Sequence, residues 1–230
     1  MKTISKRLRA EKTKINKTSL YPIAEAITLV KNTASAKFNE SIEAHISLNI
    51  DPKYADQQLR TTVILPHGTG RKLRIGALVS SDKILEAKEA GADVFGSQDL
   101  IDEISKGILN FDLLISTSDM MPKLAKLGRI LGPKGLMPSP KAGTVTSNLK
   151  ATVEEFKKGK LEYRADKTGI VHISFGKASF SAEELKDNLK AFYNSVETNK
   201  PAGVKGKYVK KFTLCSTMGP AIYLDMTSFS

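Results

Sequence analysis

The sequence is short of the residues on which covalent staples and metal centres usually rest. Cys215 is the one cysteine in 230 residues, so no internal disulfide and no multi-cysteine zinc site can form, as expected in a reducing compartment. The three histidines, His45, His67 and His172, stand apart with no HExxH spacing, which argues against a histidine metal centre. Long apolar runs are missing too. The longest stretch without a charge, Phe212 to Leu224, falls short of the ~20 apolar residues of a membrane span. The N-terminus lacks the apolar stretch of a signal peptide, and it is rich in lysine rather than in the serine and arginine of a transit peptide. It reads as a basic arm of the mature protein. Acids are the scarcer charge, 24 against 36 basic residues, for a net charge of +12. With 40% hydrophobic and 26% charged residues, the chain reads as a soluble, intracellular, globular protein of one large domain or two small ones. The positive excess points to a polyanionic partner rather than to a membrane.

That excess is unevenly placed. Residues 1–66 carry +5, residues 67–158 carry +3 and residues 159–230 carry +4. The stretch from Asp82 to Asp112 is acidic, with eight acids against three lysines, whereas Met121 to Lys150 holds six basic residues and no acid. A second acid-free run, Thr198 to Met218, holds Lys200, Lys205, Lys207, Lys210 and Lys211. A single basic run is ordinarily a solvated face. With the first twenty residues, which carry seven basic groups and one acid, there are three, and three favour nucleic acid, because useful affinity needs several phosphate contacts, each releasing counterions.

Periodicity gives the elements. Pro22 suits the first position of a helix, followed by Ile23, Ala26, Ile27 and Val30 at helical spacing. Ile42, Ala44, Ile46, Leu48 and Ile50 alternate with Glu43, His45, Ser47 and Asn49, the pattern of a strand with one wet face. A second strand, Thr61–Leu65, ends at the punctuated stretch Pro66–Gly70. The middle alternates strand and helix. Leu73–Val79, Val94-Phe95 and Phe111–Ser116 read as strands, with a helix capped by Ser81 and ended by Gly91, and further helices near Asp99–Lys106, Asp119–Leu127 and Leu149–Lys158. This βαβ order predicts a small parallel sheet covered by helices. Lys160–Ala165 and Ile170–Phe175 flank Asp166–Gly169 as a hairpin. Ser181 with Glu184 predicts a capping box for a helix bearing Leu185, Leu189, Phe192 and Val196. Tyr208–Leu214 and Ala221–Met226 read as two last strands.

The βαβ order invites a test for a phosphate-binding enzyme, and the test fails. Gly68-Thr69-Gly70-Arg71-Lys72 precedes a strand instead of following one, and Gly132-Pro133-Lys134-Gly135 departs from the P-loop pattern. There is no G-x-S-x-G elbow, and the paired carboxylates Glu86 and Glu89, or Asp102 and Glu103, sit on solvated helix faces. The chain reads as a non-enzyme with no cofactor and no metal. Two segments attract attention instead. Gly128–Gly143, with four glycines and three prolines, is a rigid basic loop carrying Arg129, Lys134 and Lys141; it is either a connector or a prong facing RNA or a partner. Thr217-Met218-Gly219-Pro220 is either a plain turn or a shape reader, with a hydroxyl, a soft apolar surface and a bare backbone for ribose contact. Phe38, taken alone, reads as core.

Leu127-Gly-Arg-Ile-Leu-Gly-Pro-Lys-Gly-Leu-Met-Pro138, followed by Pro140–Val145, is similar to the signature of the ribosomal protein L-one family of the large subunit. The resemblance extends to Ala36–Ser41, Leu65–Gly70, Asp166–Gly169, Gly176–Phe180 and Thr217–Pro220, and it spans nearly the whole chain in bacterial-type order. Departures are slight: Ser139 where asparagine is common, and Asn39 and Ser41 where aspartate and threonine are common. The resemblance implies an α/β protein of two domains, the first discontinuous. Residues 1–66 and 159–230 would form an α+β composite domain that binds rRNA, and residues 67–158 an inserted, Rossmann-like βαβ domain, with the double crossing as a hinge.

It further implies direct binding to large-subunit rRNA, contact with other components of that subunit, and a place in the mobile side stalk near the tRNA exit site, assisting tRNA release. A translational repressor of its own mRNA, using the same surface, is the alternative. Carried over by motif, the RNA-facing positions are Lys37, Phe38, Glu40, Ser41, Thr168, Thr217, Met218 and Gly219, which moves Phe38 from core to contact surface. Glu40 would accept from a 2′-OH or a base amino group. Arg129, Lys134 and Lys141 are a secondary contact with RNA or tRNA. Lysines outnumber arginines 29 to 7, a sign of an AT-rich coding genome. It fits a plastid or an AT-rich bacterium, and the reading favours the ribosome of a plastid.

Overall fold

A computed structural model describes residues 5–16 and 18–229. In chain order the elements are α1 (Lys6–Thr13), α2 (Ile23–Thr33), β1 (Ser41–Leu48), β2 (Arg60–Ile64), β3 (Ile75–Leu78), α3 (Ile84–Glu89), β4 (Val94–Gly96) and α4 (Gln98–Ser105). There follow β5 (Leu113–Ser116), α5 (Met121–Ala125), α6 (Gly128–Leu131), α7 (Leu149–Lys157), β6 (Lys160–Arg164), β7 (Ile170–Lys177), α8 (Ala182–Thr198), β8 (Val209–Ser216) and β9 (Ile222–Tyr223). They fall into two compact units, Met1–Gly70 with Leu161–Ser230, and Arg71–Lys160.

In the discontinuous unit, strict alternation along β1 puts Ile42, Ala44, Ile46 and Leu48 on a buried face. That face needs neighbours, and both come from the far end of the chain. β1 pairs antiparallel with β7 on one side and β8 on the other, in a sheet of order β7-β1-β8-β9. Tyr21 donates to the Tyr223 carbonyl (2.9 Å) and accepts from the Asp225 amide (2.8 Å), so the two ends of the chain interlock at the sheet margin as well. Helices α2 and α8 cover the apolar face, with Ile23, Ala26, Ile27 and Val30 from one and Leu185, Leu189, Phe192 and Val196 from the other all buried. Burial of each such large side chain contributes about 1.5–3 kcal/mol. The capping box of α8 is present, with the Ser181 hydroxyl accepting from the Glu184 amide and the Glu184 carboxylate from the Ser181 amide. The opposite face of the sheet carries Glu43, His45, His172, Thr213 and Cys215, half-buried or exposed.

The middle unit is a three-stranded parallel sheet of order β4-β3-β5, as its strand–helix alternation predicts. One face, with Ile75, Ala77 and Ile115, packs on α3 and α7; the other, with Leu78 and Leu114, packs on α4, α5 and α6.

Four sequence expectations are corrected. The basic N-terminal arm contains a helix, α1, capped by the Ser5 hydroxyl. Ser81 does not cap α3, because a 3₁₀ turn, Ser81–Lys83, intervenes and takes Ser81 inside it. The hairpin around Asp166–Gly169 opens at once: past a single Ala165–Val171 bridge, β6 joins β2 while β7 joins β1. The apolar alternation of β7 (Val171, Ile173, Phe175) matches the core face of β1, which is why β7 leaves its sequence neighbour. Finally, Gly128–Gly143, expected as a rigid loop, is partly helical. It holds α6 and a 3₁₀ turn, Pro140–Ala142, because Leu131 and Ala142 are buried and Leu136 and Met137 pack against the same core.

Asn188, fully buried on α8, shows how tightly the unit is tied. Its Oδ1 accepts from the His67 amide (3.0 Å), and its Nδ2 donates to the carbonyls of Gly68 (2.9 Å) and Phe175 (2.8 Å). Asn188→Leu strands three backbone groups out of water and is expected to destabilise this unit by about 3 kcal/mol, read by chemical denaturation followed by far-ultraviolet circular dichroism. A loss under about 0.5 kcal/mol would show that those groups find other partners.

Candidate nucleic-acid interface

Because β1 lies between β7 and β8, its first residue meets the ends of both. Ser41 stands opposite Lys177, and Ile42 opposite Ser216. The chain before β1, the turn after β7 and the turn after β8 therefore converge on one corner of the sheet. The Ser41 amide donates to the Thr217 hydroxyl (3.0 Å), and the Thr217 amide donates back to the Ser41 carbonyl (3.0 Å). Lys177 Nζ donates to the Ser41 hydroxyl (2.8 Å), and Asn39 Nδ2 to the Ser179 hydroxyl (3.0 Å). The result is a stiff ledge of short polar side chains.

Glu40 holds the ledge from beneath. It is 1% exposed, with Oε1 accepting from the Ala36 amide (2.9 Å) and Oε2 from the Met218 amide (2.9 Å). Burial by itself would raise its pKa; the two amides, the neighbouring Ser216 hydroxyl and the charge of Arg7 outweigh burial and hold the carboxyl below its ordinary value. Glu40 is thus an internal brace, where the motif-based assignment had it facing RNA. Its oxygens already accept from backbone N–H groups. Arg7 of α1 completes the frame, donating to the Met218 carbonyl (2.9 Å) and the Ser35 hydroxyl (3.1 Å).

Gripped on both sides, Met218 projects with 50% of its surface exposed, and Phe38 on the same ledge is 55% exposed. Thr217 and Lys37 are exposed as well, although the Thr217 hydroxyl is engaged with Ser41. Gly219 is needed for close approach: a Cβ there would lie 2.3 Å from Ser216 Oγ, inside the protein.

Of the residues singled out by motif, Lys37, Phe38, Ser41, Thr217, Met218 and Gly219 gather here. Thr168 does not. It sits in the turn at the other end of β1, where Leu48 donates to the Gly169 carbonyl, about 23 Å away along the strand. That turn is fixed by Asp166, whose carboxylate accepts from the amides of Ile170 and Thr168 (2.8 Å each) and from the Thr168 hydroxyl (2.7 Å). The Ile170 amide above all, then the Thr168 groups, bring the Asp166 pKa down to about 2 against the opposing effect of burial. Between ledge and turn runs the wet sheet face with Glu43, His45, His172 and Cys215. Sequence reading found the wet side of β1 but missed the His172 and Cys215 that strand register sets beside it, and it missed Arg7, which a helix from another part of the chain brings in. In the middle unit, Arg129, Lys134 and Lys141 are all exposed.

The brace carries a pH signature. A lowered folded pKa means that Glu40 stabilises the unit fully above its ordinary value of 4.5, and that this contribution is lost as pH falls through the lower folded value. Glu40→Gln is expected to cost about 2 kcal/mol at pH 7, with the gap from wild type closing as pH is taken below 4.5. Denaturation curves at several pH values measure it, and a gap independent of pH would remove the charge from the explanation.

Comparison with known proteins agrees with this architecture. Residues 30–220 match the Ribosomal protein L1p/L10e family. The chain is 58% identical over 228 residues to large ribosomal subunit protein uL1 of Prochlorococcus marinus (strain MIT 9312), covering 99% of this chain and 97% of that one. It is 59% identical over 230 residues to large ribosomal subunit protein uL1c of Trieres chinensis, covering 100% of both. It is 60% identical over 229 residues to the uL1c of Guillardia theta, covering 100% of this chain and 97% of that one. A whole-chain likeness of this kind, on a two-unit α/β fold, leaves one conclusion: the chain belongs to the Ribosomal protein L1p/L10e family, a ribosomal protein and not an enzyme.

Proposed function

We propose that the discontinuous unit grips folded large-subunit rRNA with the ledge of Lys37, Phe38, Ser41, Thr217, Met218 and Gly219. The bound RNA extends along the wet sheet face to Thr168. On this reading the middle unit is the inserted domain, whose Arg129, Lys134 and Lys141 make a secondary contact with RNA or departing tRNA, and the whole belongs to a mobile stalk of the large subunit. Its place is the ribosome of a plastid or a bacterium.

The observation that carries the proposal is Met218, half exposed at the tip of a turn and locked from behind by Glu40 and Arg7. A turn meant only to connect two strands has no use for an apolar side chain held out to water by a buried carboxylate. Presented to a ribose or base, the same side chain gives contact area without new ordering, while polar groups and bare backbone read the 2′-OH outline of folded RNA. Lys37 and Arg7 add the salt-sensitive part. An own-message RNA that copies the rRNA fold would compete for the same ledge.

Filter binding of the full chain to stalk rRNA, with an unrelated duplex as control, tests it. Met218→Asp is expected to weaken specific binding at least tenfold, or about 1.4 kcal/mol, with circular dichroism unchanged. Lys37→Ala should weaken binding to all RNAs and reduce the salt slope by about 1. Lys134→Ala should stay within about twofold of wild type. If Met218→Asp binds like wild type, the ledge is not the rRNA site; a large loss in Lys134→Ala would move the main site to the middle unit.

A further inference from the structure

Strand register on the wet face brings together side chains that the sequence keeps far apart. Glu43 and His45, two residues apart on β1, point to the same side; Cys215 of β8 lies opposite Glu43, and His172 of β7 lies opposite His45. His45 Nε2 is 3.2 Å from Cys215 Sγ and 3.9 Å from Glu43 Oε2, and all three ligand atoms lie within 4.8 Å of one another. Bonds of about 2.0–2.3 Å from a central zinc ion would set tetrahedral edges of about 3.3–3.8 Å, so small side-chain shifts suffice to close around one.

We infer that Glu43 Oε2, His45 Nε2 and Cys215 Sγ form a binding site for a thiophilic divalent cation, with zinc the best fit, leaving a fourth position to water. A thiolate, an imidazole and a carboxylate are the donors that zinc prefers over magnesium or calcium. The surroundings also orient the imidazole. His45 Nδ1 lies 2.8 Å from His172 Nδ1, and His172 Nε2 faces Asp166 Oδ2 at 3.6 Å. If His45 Nδ1–H donates to His172 Nδ1, then His172 carries its proton on Nε2, toward the carboxylate. His45 Nε2 is thereby left with its lone pair free for the metal. Ligand histidines usually donate their other N–H to a carboxylate, a carbonyl or water; here a second imidazole, itself backed by a carboxylate, takes that place.

In the metal-free protein, burial and then the Glu43 charge push the Cys215 thiol up to about 11, so the sulfur keeps its proton and donates it toward His45 Nε2. Burial first, then His172, lower the pKa of His45 despite Glu43. Metal binding replaces the shared S–H proton, which leaves to solvent as the thiolate–metal bond forms. The site stands on these residues alone, whatever covers the sheet face. His45 and His172, far apart in the sequence, are neighbours in the sheet.

The test uses the full chain, reduced and freed of metal, titrated with Co²⁺ as a spectroscopic stand-in for Zn²⁺. One equivalent is expected to give a thiolate-to-cobalt charge-transfer band in the near ultraviolet that Zn²⁺ abolishes. Cys215 is the chain's one cysteine, so the band assigns itself. Cys215→Ser and His45→Asn should each weaken Zn²⁺ binding at least tenfold, the first with no band, and His172→Asn should keep the band while weakening binding about tenfold. A wild-type chain with no saturable band, or a Cys215→Ser chain that binds Zn²⁺ like wild type, overturns the site. A readout free of any folding defect is the rate of iodoacetamide reaction at Cys215 in the wild-type chain. Zn²⁺ should slow it at least tenfold, and an unchanged rate also overturns the inference.

Discussion

The insertion of β1 between β7 and β8 is the constraint on which everything else in the discontinuous unit rests. Its alternating side chains settle both faces at once. Inward, Ile42, Ala44, Ile46 and Leu48 meet α2 and α8. Outward, Glu43 and His45 are set beside Cys215 and His172. At its start, Ser41 ties the two neighbouring strand ends into one ledge; at its finish, Leu48 fastens the Asp166 turn. A one-residue slip in either pairing would turn the apolar set to water and scatter the polar one.

Polar groups in this unit act mostly as supports. Glu40, Asp166 and Asn188 each place carboxylate or amide atoms on backbone N–H or C=O groups of turns and connecting segments, the last two reaching β7 as well. Each fixes a turn at the sheet's rim. What the rim then presents to solvent is a small set of side chains, Met218, Phe38 and Lys37 among them. The division keeps the supporting bonds out of competition with water.

Much of the fold was legible in the sequence where the signal is local. The alternation along β1, the Ser181–Glu184 capping box and the strand–helix rhythm of the middle unit all operate within a few residues, and each appears in the structure. Ser81 shows the limit of local signals, because a 3₁₀ turn over Ser81–Lys83 displaced the cap. Strand partners were out of reach. Nothing between Lys160 and Lys177 announces that β6 will abandon β7 for β2, because that choice depends on which face of β1 is bare. For the site, motif resemblance brought Phe38 and Met218 to the surface, where both are found, but it could not tell a contact from a brace. Glu40 matched the motif and turned out to be interior, while Arg7, His45 and His172 matched no motif and lie at the centre of the arrangement.

The order in which β1 receives its neighbours has a consequence for synthesis. Roughly 120 residues separate Leu48 from the start of β7. At about 5–20 residues per second, β1 leaves the ribosome on the order of ten seconds before either neighbour exists. The middle unit, being contiguous, can close during that interval. The first third of the chain cannot, and it must carry an unpaired strand with a bare apolar row, Ile42, Ala44, Ile46 and Leu48, through the crowded exit region until the last quarter arrives.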